Sequence, residues 1–203
     1  WKNTSGSGKR LSNKRSSMRF GGWARRSETT YKDPSPPQRK SYGPCGRNVA
    51  LKWAVLDASF LMRVLLAGIL GDRRAYEAFL GLGHKEVVAP TLLPYEVANA
   101  LHRYVLGGVL SGPQAEAFLR GALGLNIRLM GDKGLHLRAL ALSQALGLKA
   151  VYDAHYLALA EKLQAEFWTA DGKLSRKVTE AQVQGLLEGI TVRYLEPHDP
   201  GPT

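Results

Sequence analysis

From Trp53 onward, short apolar runs alternate with longer amphipathic stretches, and that order leaves few folds open. WAVLD (53–57), EVVA (86–89), NIRLM (126–130), EFWTA (166–170) and TVRYL (191–195) read as strands, the last at a sheet edge. Between them the spacing predicts helices over 59–67, 72–82, 91–106, 113–123, 133–146 and 153–164, with a short helical turn at 173–178. Gly107 and Gly108 stop the long third helix, and Gly147 closes the helix from Lys133. Strands joined through helices need right-handed crossovers. The expected fold is therefore α/β, three layers (α/β/α) around a mainly parallel central sheet. In such sheets ligands bind beyond the carboxyl ends of the strands. Asp57 ends the first strand and Asp171 follows the fourth, so both fall on that edge.

The charge of the chain is uneven. Of 28 Lys and Arg and 17 Asp and Glu, 12 and 2 lie in residues 1–50, leaving 16 and 15 for residues 51–203. The formal net charge of +11 thus divides into +10 and +1, and the basicity describes the first segment rather than the α/β region. Residues 1–50 are rich in Ser, Gly, Pro, Lys and Arg with no periodic apolar pattern, so they are expected to be a disordered basic tail. Such a tail can serve as an arm for RNA or a membrane surface, with Trp1, Phe20, Trp23 and Tyr31 available to stack on bases; a non-native extension is the plainer reading. Domain boundaries are expected at 1–50 for the tail, 51–197 for the folded domain and 198–203 for a C-terminal tail.

One cysteine, Cys45, excludes an intrachain disulfide framework and a Cys-based zinc ribbon. No apolar run is long enough to span a bilayer, and the N-terminus lacks the apolar core of a signal peptide, so a soluble cytoplasmic protein without a membrane partner is expected. SGSGKRLS fails as a phosphate loop because Asn3 stands where the first glycine belongs, Arg10 follows Lys9, and no strand precedes it. No G-x-S-x-G elbow supports a serine hydrolase.

Four carboxylates sit in the most apolar surroundings: Asp57 in AVLDAS, Glu96 in LLPYEVANAL, Asp153 in AVYDAHYLALA and Asp171 in FWTAD. Glu96 lies within the stripe Leu92, Leu93, Val97, Ala100, Leu101, Tyr104 and Val105, on the helix face turned toward the sheet. Asp153 repeats the pattern ahead of Tyr156, Leu157 and Ala160. Each has an ordinary structural explanation. Asp57, Asp153 and Asp171 can cap helices, and Glu96 can pair with Arg103 or Lys52. Together they are explained by one shared cation, because uncompensated carboxylates in apolar surroundings cost several kcal/mol or protonate. Oxygen-only ligands select Mg²⁺ or Mn²⁺ over zinc. His84, His102, His136 and His198 show no metal-ligand spacing, and only His155 can approach the acids, as a neighbouring or substrate contact or as a plain helix-surface residue.

The strings AVLDASFL, PTLLPYEVANAL, VYDAHYLALAEKL and TADGKL resemble the four motifs of PIN-domain proteins, in particular the VapC-type toxins of bacterial and archaeal toxin–antitoxin modules. The resemblance runs from about Val55 to Leu195, with residues 1–50 outside it. It implies a magnesium- or manganese-dependent endoribonuclease held inactive by a cognate VapB-type antitoxin, and a homodimer. It implies Asp57, Glu96, Asp153 and Asp171 as metal-binding and catalytic acids, with the Ser59 and Thr169 hydroxyls bonding the acids or a metal-bound water. His155 departs from the small residue common there. Phosphodiester RNA needs cations beside such a cluster, and Arg63, Arg103, Lys173, Arg176 and Lys177 are the candidates. Two other readings are a non-catalytic PIN-like RNA-binding module whose tail supplies affinity, and a housekeeping metal-dependent nuclease of RNA maturation or DNA flaps.

Overall fold

In the computed structural model, residues 52–197 are described. The expected tails at 1–50 and 198–203 lie outside the described residues. Five strands, β1 (Trp53–Leu56), β2 (Glu86–Pro90), β3 (Arg128–Met130), β4 (Glu166–Thr169) and β5 (Thr191–Tyr194), form one sheet in the order β3-β2-β1-β4-β5. Every neighbouring pair is parallel, with Val55 opposite Val88 on one side and Phe167 on the other.

Helices α1 (Ala58–Leu65), α2 (Ala67–Leu70), α3 (Arg73–Leu80), α4 (Leu93–Leu106), α5 (Gly112–Gly124), α6 (Lys133–Ala145), α7 (Tyr152–Leu163) and α8 (Gly172–Val183) fill the connections. Successive strand side chains alternate faces, and both faces are buried. Ala54 and Leu56 pack with Phe60, Val64, Ala75 and Leu82 of the α1–α3 side. Val55 and Phe167 pack with Val97 and Leu101 of α4 and with Tyr156, Leu157 and Ala160 of α7. The result is the three-layer parallel architecture that strand–helix alternation implies. Among the described residues, no helix is long and apolar enough to cross a membrane.

Three elements differ from the spacing. The stretch after Asp171 is a full helix to Val183 rather than a turn ending at 178, because Leu174, Val178 and Ala181 keep a buried stripe going. The one-turn helix α2 is added, closed by Gly71 in the left-handed conformation at φ 66°. Strand β3 begins at Arg128 rather than 126, since Ile127 N–H bonds back to Leu125 O (2.8 Å) instead of joining the ladder.

β1 lies between β2 and β4, so the chain leaves β1 toward one side and later returns to the other. That reversal opens a crevice at the carboxyl ends of β1 and β4. Asp57 N–H still bonds Trp168 O (3.1 Å), which extends the ladder to the mouth of the crevice.

Candidate active site

A cleft of about 420 Å³ opens there, lined by Asp57, Glu96, Asp153 and Asp171 among others. The four acids come from four places: the end of β1, the first turns of α4 and α7, and the turn after β4.

Asp57 is buried at 4% exposure. It caps α1, with Oδ1 accepting from the Phe60 N–H (2.8 Å) and Ser59 Oγ (2.8 Å), and Oδ2 accepting from Thr169 Oγ1 (2.5 Å). The two hydroxyls then reach the β4 end. Ser59 Oγ accepts the Ala170 N–H (2.9 Å) and Thr169 Oγ1 accepts the Asp171 N–H (3.0 Å). Ser59 and Thr169 thus stitch the Asp57 loop to the Asp171 loop. Burial pushes the Asp57 pKa up to about 7 despite its three hydrogen bonds, and the Asp153 charge adds to the rise.

Glu96 is half-buried and does not pair with Arg103 or Lys52. Seven residues separate it from Arg103, about 10 Å along the axis, while Lys52 pairs with Glu86 (2.6 Å). Its Oε2 accepts instead from the Tyr156 hydroxyl (2.5 Å). Burial raises the Glu96 pKa against that hydrogen bond, with Asp153 raising it further. Tyr156, fully buried, is held protonated first by burial and then by the Glu96 charge.

Asp153 lies inside the first turn of α7 rather than at its cap, because Val151 occupies the cap. Among the described residues it accepts no hydrogen bond. Burial raises its pKa, with the Asp171 charge next. Asp153 is the electrostatic hub, since its charge acts on Asp57 and Glu96 and it feels Asp171. Asp171 is exposed and does cap α8, accepting from the N–H groups of Lys173 (2.8 Å) and Leu174 (3.1 Å).

Among the described residues, no group of three or more His, Cys, Asp or Glu stands close enough to hold a metal ion as placed. The cleft aligns the carboxylates without gathering them, and Asp57, Glu96 and Asp171 are each turned onto protein donors. The donor chemistry nevertheless fits a hard divalent cation. All four side chains offer carboxylate oxygens and line one cleft, and three have pKa values raised by burial that a cation would lower.

The remaining expected residues divide. His155 does not line the cleft. Two residues from Asp153 it points to another side of α7, buried at 8% exposure rather than on the surface. Its Nδ1 donates to Val151 O (2.9 Å) and its Nε2 meets His136 Nδ1 (2.9 Å) on α6. Of the five cations, Arg63 and Arg103 line the cleft. Arg63 is committed elsewhere, to Asp72 and to the carbonyls of Leu195 (2.9 Å) and Glu196 (2.6 Å). Lys177 is turned away, its Nζ donating to Leu146 O (2.8 Å) and Gly147 O (3.1 Å) at the end of α6. Arg176 lines a separate depression with Thr179 and Val183, and Lys173 is exposed outside the cleft lining. Asn99 also lines the cleft, and neither it nor the Tyr156 hydroxyl was singled out from sequence. The signal for both was spacing, since Asn99 follows Glu96 by three and Tyr156 follows Asp153 by three.

No curated protein matches the chain. The crystal structure of PAE2754 from Pyrobaculum aerophilum is similar in fold, with a TM-score of 0.50 and 23% identity over 68% of this chain and 89% of that one. The sequence profile of the PIN domain matches residues 54–179. That match takes in β1 through most of α8 and all four acids, so the chain belongs to the PIN domain family, whose members are typically metal-dependent nucleases.

Proposed function

We propose that this protein is a magnesium- or manganese-dependent endoribonuclease and the toxin of a type II toxin–antitoxin module, restrained by a VapB-type antitoxin and acting as a homodimer. The observation that carries the nuclease reading is the set of four carboxylates from four elements facing one cleft, three of them with pKa values raised by burial. The toxin reading rests on the resemblance of the motifs around Asp57, Glu96, Asp153 and Asp171.

Asp57, Glu96, Asp153 and Asp171 would hold the cation. A bound Mg²⁺ or Mn²⁺ supplies Lewis-acid activation of water and neutralises charge developing at the phosphate. The chain's own residues do the rest. Ser59 and Thr169 hold Asp57 in one orientation, and Tyr156 does the same for Glu96. Asp153, accepting no hydrogen bond among the described residues, is the carboxylate free to orient the attacking water and take its proton. As the family resemblance implies, the water oxygen would bond to phosphorus as the bond from phosphorus to the 3′ oxygen breaks, leaving a 5′-phosphate and a 3′-hydroxyl that takes up the proton.

The test is cleavage of a panel of structured RNAs and flap DNA with Mg²⁺, Mn²⁺ or EDTA. The expected result is metal-dependent RNA cleavage that Asp57→Asn and Asp153→Asn both abolish while far-UV circular dichroism is unchanged. Activity retained in both variants rules out the shared-cation site, and preference for the flap rules out the toxin. Deleting residues 1–50 leaves cleavage intact if the cleft is the engine; loss of binding together with its salt dependence assigns function to the tail.

A further inference from the structure

Residues 95, 99 and 103 of α4 are spaced four apart and form one row along the helix surface. The neighbouring row carries Glu96, Ala100 and Tyr104 into the cleft. Asn99 and Arg103 also line the cleft, and Tyr95, one turn before Asn99 on the same row and next to Glu96 in the chain, has 79% of its surface exposed. Arg103 carries no ion pair among the described residues, whereas Arg63, the other cation lining the cleft, is bound to Asp72 and two carbonyls. The Asn99 amide makes no hydrogen bond among the described residues. An aromatic face, an amide and a guanidinium, the last two without a partner among the described residues, therefore stand in line on the helix that carries Glu96.

These three chemistries match the parts of a single-stranded nucleic acid. A base stacks on an aromatic ring, an amide reads a base edge or a ribose hydroxyl, and a guanidinium pairs with a phosphate. The carboxylates repel the phosphate backbone, and Arg103 offsets that repulsion where the strand leaves them. Eight residues of helix rise about 12 Å, on the order of three nucleotides at the stacked spacing of one strand. We propose that Tyr95, Asn99 and Arg103 form a binding row that seats a single-stranded stretch of RNA along α4 and feeds its backbone to the acidic cleft. The row rests on the nuclease reading above. It makes Tyr95, next to the acid of the second motif, a substrate-positioning residue, and it makes α4 both a wall of the cleft and its guide rail.

The test uses the full-length chain carrying Asp153→Asn, with Mg²⁺ present, so that a fluorescent single-stranded oligoribonucleotide stays intact during anisotropy titration. Tyr95→Ala is expected to weaken binding about tenfold or more and Tyr95→Phe to restore it, because stacking needs the ring and not the hydroxyl. Arg103→Ala is expected to lower the slope of log K against log salt by about 0.7, one phosphate contact on a single strand. Tyr76→Ala, at an exposed tyrosine of α3 outside the row, is expected to bind as the parent does. In the active protein, Tyr95→Ala raises KM and leaves kcat nearly unchanged. Unaltered affinity in Tyr95→Ala together with an unaltered salt slope in Arg103→Ala overturns the row, and so does equal weakening by Tyr76→Ala. A Tyr95→Ala chain that binds RNA normally but changes its sedimentation assigns the face to a protein partner and also overturns it. Cleavage that persists unimpaired in the row variants removes the row alone; a parent chain that neither binds nor cuts RNA removes the nuclease reading and the row with it.

Discussion

Asp57 has both carboxylate oxygens engaged by its own chain, yet burial still holds its pKa at about 7, well above the ordinary 3.8. A raised pKa means the folded state keeps a proton that the unfolded state has lost. Its contribution to stability is full below about pH 4 and is lost as pH rises through about 7. Three pKa units correspond to roughly 4 kcal/mol as an upper limit. Urea titrations in EDTA should therefore show stability falling between pH 5 and pH 8, with Glu96 and Asp153 contributing in the same direction. Asp57→Asn should flatten that slope and raise the Tm at pH 8; a profile identical to the parent's counts against a raised pKa at buried Asp57. Tyr156 offers a second test. Tyr156→Phe keeps the buried ring and removes the hydrogen bond to Glu96, so about 1–3 kcal/mol of stability should go with it. Cleavage should fall with it, since Glu96 is no longer held toward the cleft, and a variant with parental Tm and kcat would show that the hydroxyl holds nothing.

At the scale of elements, Arg63 ties the α1 helix to Asp72, at the start of α3, and to the backbone after β5. Asp72 is fully buried. Burial opposes its charge, but the Arg63 hydrogen bond and charge outweigh that, and its pKa stays below the usual carboxylate value. Arg63→Ala leaves the buried carboxylate only the longer Arg74 ion pair (3.6 Å) and should cost about 1.5–3 kcal/mol by chemical denaturation. Arg103→Ala, at an exposed position of α4, should stay within about 0.5 kcal/mol of the parent. Equal losses would mean that Arg63 is not the anchor it looks to be. The element pattern itself was largely legible. Five strands and six helices follow from apolar spacing, because period and length are local properties. The end of α8 was not, since the sequence after Val178 is polar enough to read as loop and only Ala181, buried against the sheet, carries the helix on. Which arginine serves the cleft was not legible either. Arg63 and Arg103 look alike in sequence, and only the position of Asp72 and the Leu195 backbone separates them.

For the whole molecule, the cleft exists because β1 sits between β2 and β4, which brings together acids up to 114 residues apart in sequence, Asp57 and Asp171. A cation that binds only the folded site stabilises it by mass action. Mg²⁺ at ten times its Kd should raise the Tm by a few degrees over EDTA, a gain of about 1.4 kcal/mol. Asp57→Asn and Asp153→Asn should each lose most of that gain. A shift that survives both places the cation elsewhere. The sequence by itself determined the strand–helix alternation, the strand-end places of Asp57 and Asp171 and the inward helix faces of Glu96 and Asp153, because each depends on neighbours within a few residues. Only the tertiary structure decided that Asp153 is the electrostatic hub, that Ser59 and Thr169 join two loops through Asp57, and that His155 turns away to His136. Those outcomes depend on which distant side chain arrives opposite, and partner choice across a sheet is set by packing rather than by any local pattern.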